Sequence, residues 1–154
     1  MWWVLFVCWN VALLYADARH RRVPNRLVVG AAVLQMLWAV AGLCLAQWRY
    51  PPLWPGWAMA LAGFLMAGLF LPLWTRRLMA AGDIKAMAAY GLLLGAFKLL
   101  HVLVIASLLA GMHALVYVWA SSFLALPPRL RQIPYVAYLA VGALSAAFMP
   151  LSLA

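Results

Sequence analysis

Asp17 and Asp83 are the only carboxylic side chains in a chain of 154 residues. Two carboxyl groups held close together share one proton, because both cannot ionise at short range. The ionised member can take a proton from water as general base. The protonated member can hydrogen-bond a scissile carbonyl and then protonate the leaving amine. This is the chemistry of aspartic peptide hydrolysis, and it calls for no metal or other cofactor. Other groups suit hydrolysis less well. Ser107, Ser121, Ser122, His101 and His113 have no Gly-x-Ser-x-Gly elbow around them. His113 is expected to pack inside the protein, and His20 to sit solvated among arginines. Cys8 and Cys44 stand in apolar runs without a Cys-x-x-Cys pair. They are read as buried small hydrophobes, not as a zinc site or a disulfide framework.

Each aspartate also has a plainer reading. Asp83 follows Gly82 and could cap a helix, and Asp17 could pair with Arg19 or Arg21 at an interface. The case for a pair rests on where the surrounding elements put them. Of the residues, 70% are hydrophobic and 8% charged, more apolar surface than a soluble domain of this length can hide. The expected architecture is a single all-α domain, residues 1–154, folded as a membrane bundle of about six helices. The runs are Trp2 to Ala16, Leu27 to Gln47, Gly56 to Trp74, Ile84 to Leu126 and Ile133 to Ala154. The fourth would make about 64 Å of helix, too long for one crossing, and is split near Gly95 to His101, where Lys98 and His101 cluster. The stretch Trp48-Arg49-Tyr50-Pro51-Pro52-Leu53-Trp54-Pro55-Gly56 reads as an interfacial loop. Asp17 then ends the first span and Asp83 opens the fourth.

The net charge of +9 does not point to nucleic acid, because the cations sit in short clusters between apolar runs. With six spans, the loops Arg19–Arg26, Arg76–Lys85 and Arg129–Arg131 fall on one side and hold nine of the eleven cations; Arg49 and Lys98 fall on the other. The positive-inside rule places those three loops in the cytoplasm and both chain ends on the periplasmic side. Residues 1–16 contain no Lys or Arg, so the first run lacks the basic start of a cleaved signal peptide and is read as a retained helix. The arginines thus put both aspartates at the cytoplasmic boundary. Ionisable groups at membrane depth are costly and usually functional.

With these residues in view, the chain resembles the type IV prepilin peptidases. Asp17-Ala18-Arg19 with Pro24-Asn25 resembles their Asp-x-Arg…Pro-Asn signature. Ala80-Ala81-Gly82-Asp83-Ile84-Lys85, followed by Ala89, Gly91 and Gly95, resembles their Gly-x-Gly-Asp-x-Lys motif. Ile133-Pro134-Tyr135, with Gly142 beyond, resembles their C-terminal Pro-Tyr segment. The resemblance implies a six-span aspartic peptidase with Asp17 and Asp83 as its catalytic pair. Such an enzyme would clip the short basic leader from pilin-like precursors at the cytoplasmic face of the bacterial inner membrane. The compact length resembles the minimal form found with tight-adherence pilus systems. The cysteine-rich insertion of larger relatives is missing, so methyl transfer is not implied.

Two positions depart from the family pattern. Ala80 replaces the first motif glycine, and would be strained if that position needs a positive φ. Val136 stands where the family often has glycine. Roles for the neighbours are softer. Arg19 is read as orienting Asp17 or anchoring its loop, Pro24-Asn25 as starting the second span, and Lys85 as biasing Asp83 or snorkelling. Two other classes compete: a non-catalytic membrane protein that binds pilins or assembly partners, and a small transporter using the two acids. Transport favours acids near the midplane, whereas these lie toward one face.

The charge asymmetry generates a direct test. Single cysteines placed in the Arg19–Arg26 loop of a Cys8→Ala/Cys44→Ala chain should react with a thiol reagent only when it can enter the cytoplasm. Labelling by an impermeant reagent from the periplasm would overturn the topology.

Overall fold

A chain without water around it must satisfy its own backbone, and helix is how a single apolar segment does so. A computed structural model describes residues 2–20, 23–45, 53–124, 127 and 133–148. Among them every regular element is helical: α1 Trp2–His20, α2 Asn25–Cys44, α3 Trp57–Gly68, α4 Leu71–Thr75, α5 Ala81–Ser121 and α6 Tyr135–Phe148. The cations Arg21, Arg22, Arg49, Arg129 and Arg131, the loop positions 48–52 and the end of the last apolar run lie outside the described residues.

Among the described residues three stretches are long and apolar enough to cross a membrane: Asn25–Cys44, Trp57–Thr75 and Ala81–Ser121. Length and composition of the described residues do not by themselves confirm the expected count of six. α6 has only 14 residues, about 21 Å of helix against a hydrocarbon core of about 30 Å. The third run is broken as well, because α3 ends at Gly68 and α4 restarts at Leu71 with Pro72 in its first turn. A proline there has no N–H to give and its ring collides with the carbonyl four residues back.

α5 is not a rod. Gly95 within it has φ 80° and ψ 172°, outside any helical region. The residues that meet Tyr135 show what this break does. The Tyr135 hydroxyl shares a hydrogen bond with Ser107 at 3.2 Å and lies close enough to Asp83 to feel its charge. A straight helix would hold residues 83 and 107 about 36 Å apart. One side chain bonds to the second limb and lies within range of a charge on the first, so the chain turns back at Gly95 between its two limbs, 81–94 and 96–121. The expected division of the fourth run near Gly95 to His101 falls at that residue. A Cβ on Gly95 would come within 2.6 Å of Pro55 Cβ, so the reversal also packs against the entry to α3.

The interior is built largely from small residues. Ala39, Ala60, Ala67, Ala86, Ala106, Ala140, Ala143 and Ala146 are buried, while Leu37, Leu43, Leu61, Leu65, Leu108 and Leu115 are exposed. Apolar surface facing outward is natural in lipid, where close backbone approach drives helix association. The tightest crossing joins Gly63 of α3 to Gly91 of α5, where a Cβ on Gly63 would lie 2.9 Å from Gly91 Cα. Larger side chains cannot enter that contact. Cys8 and Cys44 correct the sequence reading: both are free thiols on exposed faces. An apolar run does not distinguish a helix face turned to the bundle from one turned to lipid.

The backbone at Gly95 lies in a region that is essentially reserved for glycine, at a strain of about 1–3 kcal/mol for other residues. Gly95→Ala should lower the thermal stability of the detergent-solubilised protein and its membrane level. Gly111, with open space where its Cβ would go, serves as control. Gly111→Ala should be neutral or stabilising by up to about 1 kcal/mol.

Candidate active site

α1 runs past the end of its apolar run to His20, so Asp17 belongs to the last helical turn and not to a loop. Phe6, Asn10, Leu13 and Asp17 are buried along α1 at steps of three and four residues. That stripe carries Asp17 inward. Its Oδ2 accepts a hydrogen bond at 3.0 Å from the backbone N–H of Ala137, the third residue of α6. The first N–H groups of a helix have no partner within it. Asp17 thus completes the α6 terminus from another element, and Pro134, just before α6, begins the helix where Asp17 can reach it.

Asp83 lies in the first turn of α5 and is half-buried. It does not cap its own helix by the usual route: the N-cap position is Ala80, with no side-chain cap bond. Asp83 instead feels the charge of Asp17, in surroundings that strip water from its carboxyl group. The two acids come from opposite ends of their helices, and helix pairing brings them together. Ala80 has φ −76° and ψ 145°, an ordinary extended conformation. Alanine is unstrained there, which removes the steric objection to the missing first glycine. Gly82 sits close to its neighbour, since a Cβ on it would lie 3.3 Å from the Val23 side chain. The start of α5 therefore packs against the segment that leads into α2.

The other predicted residues divide between structure and surface. Pro24 is the residue before α2, in extended conformation. Lys85 donates to Asn25 Oδ1 at 3.0 Å, which ties the start of α5 to the start of α2 and gives this lysine a structural partner. Arg19 is exposed in the last turn of α1. Val136 is fully buried, so a side chain is accommodated where the family often has glycine. His113 is part-buried and hydrogen-bonded to Tyr138. Ser121 and Ser122 bond back to the Val118 carbonyl in their own helix. Among the described residues there is no group of three or more His, Cys, Asp or Glu that could hold a metal ion.

Asp83 thus lies within range of the charge of Asp17, and Tyr135 within range of that of Asp83. A family model described as the type IV leader peptidase family matches residues 4–115, which include both aspartates. The chain belongs to the type IV leader peptidase family. No curated protein and no solved structure matches it. Tyr135 and Ala137 lie beyond the matched stretch, so the contact of this leader peptidase family member between Asp17 and α6 comes from its structure alone.

Sequence reasoning missed three groups: the Ala137 N–H, the Tyr135–Ser107 bond, and a buried bond from Tyr90 to Asn10. Backbone donors carry no sequence signal. Asn10 does, as an amide amid an apolar run.

Loss of a helix cap destabilises by about 0.5–2 kcal/mol. Asp17→Ala should lower thermal stability in detergent by that order, and Asp17→Asn by less, because an amide oxygen still accepts from Ala137. Equal losses would show that the bond contributes nothing.

Proposed function

We propose that this protein is an intramembrane aspartic peptidase that removes short basic leaders from pilin-like precursors, with Asp17 and Asp83 as the catalytic pair. The observation that carries this reading is the convergence of the chain's only two carboxylic side chains within range of each other's charge. Membership of the leader peptidase family supports peptide hydrolysis as the reaction. The apolar helices support a membrane setting, and the clustered arginines support the cytoplasmic face of the inner membrane as the place of cleavage.

In this mechanism one carboxylate takes a proton from water, and the water oxygen attacks the scissile carbonyl carbon. The other carboxyl donates a hydrogen bond to the carbonyl oxygen. The carbon–nitrogen bond then breaks, and the departing amine leaves with a proton from the acid. Lys85 held by Asn25, and Gly82 packed on Val23, hold the start of α5 so that Asp83 faces Asp17. Pilin-like precursors fit because a basic leader followed by an apolar segment would cross the bilayer boundary where the acids are placed.

Asp17→Asn and Asp83→Asn should each abolish leader removal from a co-expressed pilin-like precursor, read as a gel shift, at unchanged membrane level. General acid–base groups contribute about 10²–10⁴-fold to rate, and an amide can neither take the proton of water nor give one to the amine. Cleavage at the natural rate by either variant would reject the pair.

A further inference from the structure

Asn10 and Tyr90 are both fully buried, and the Tyr90 hydroxyl donates to Asn10 Oδ1 at 2.8 Å. The Asn10 amide also donates to the Phe6 carbonyl at 2.8 Å within α1. Trp9 sets its ring edge-on to Tyr90, with centroids 5.1 Å apart. One turn away along the two helices the buried residues are Phe6, Leu13, Ala86, Met87, Leu93 and Leu94, which offer no side-chain partner for a hydroxyl or an amide. The mechanism described above uses neither residue.

Their spacing to the aspartates gives them a role. Asp17 is seven residues beyond Asn10, and Asp83 is seven residues before Tyr90. Seven residues are nearly two helical turns, so each aspartate lies on the same helix face as its polar partner, about 10.5 Å further along. α1 runs toward the aspartate end and the first limb of α5 runs away from it. Equal counts in opposite directions bring the two carboxyl groups to the same level. Apolar faces tolerate a slip of one turn, which would offset the acids by about 5.4 Å. The Asn10–Tyr90 bond does not tolerate it, since a slip leaves two polar groups unpaired in an apolar interior. α1 packs chiefly on α6, so this bond is a direct tie between the helices that carry the two acids.

We infer that Asn10 and Tyr90 are positioning residues: their buried hydrogen bond sets the register of α1 against α5 and so holds Asp17 level with Asp83. The inference deepens the peptidase reading, and its decisive test needs no peptidase activity. In a Cys8→Ala/Cys44→Ala chain, Asp17→Cys and Asp83→Cys should cross-link under mild oxidation in membranes. Adding Asn10→Leu and Tyr90→Phe, which removes both polar groups together, should slow that cross-linking at least about five-fold at equal protein level, because small losses of alignment matter for contact. An unchanged cross-linking rate overturns the inference, and so does a fall that only follows protein level. In the chain with its aspartates intact, Tyr90→Phe should lower kcat on a pilin-like precursor by about 10-fold or more while leaving KM in place. A rise in KM with kcat unchanged would equally overturn it. If the unaltered chain does not cleave, the peptidase reading fails while the cross-linking comparison still decides the register.

Discussion

A single glycine with backbone angles closed to other residues makes the rest of the arrangement possible. Without the reversal at Gly95 (φ 80°, ψ 172°), α5 would be a rod of about 60 Å. Its second limb could not return toward the level of Asp83, and Tyr135 could not bond to Ser107 while feeling the charge of Asp83. The reversal also fits against Pro55 and Met59, so the start of α3 is shaped by it. Gly63 and Gly91 then bring α3 against the first limb of α5 at backbone contact.

Polar groups are few, and several of those described join a helix terminus or another helix. Asp17 serves the open end of α6, Lys85 and Asn25 join two helix starts, and Asn10 answers Tyr90 within the apolar interior. Many large apolar side chains face outward, and alanines and glycines make the closest contacts between helices beside a core that includes Leu13, Met87, Leu94 and Leu139. In lipid this is the favourable distribution, because burying leucine against leucine gains little over leaving it against acyl chains. The two aspartates sit at helix ends, where Asp17 meets a backbone donor of α6 and burial strips water from Asp83.

Much of this was legible in the residues. The helical class followed from a composition that only a bilayer can solvate. The two aspartates stood out because the chain has no others, and the motifs around them pointed to the leader peptidase family. The break in the long fourth run was visible near Gly95 because no single span can be that long. Less legible were lengths and faces. α1 carries on through Asp17, and Cys8 and Cys44 face outward. Uniformly apolar helices have no periodic contrast between a buried and an exposed side, so neither their ends nor their inner faces can be read by pattern.

What the sequence alone determined was the inventory: helices, an apolar composition suited to a membrane, and two acids. Tertiary structure decided how those acids are held. The Ala137 N–H that Asp17 meets is a backbone group with no letter of its own, and it becomes available only where α6 starts beside α1. Ala80 proved unstrained because the actual backbone there is extended, a fact that residue type does not carry. Asn10 and Tyr90 pair across 80 positions. Which polar group answers which depends on the register between helices, and that register exists only once the bundle has formed.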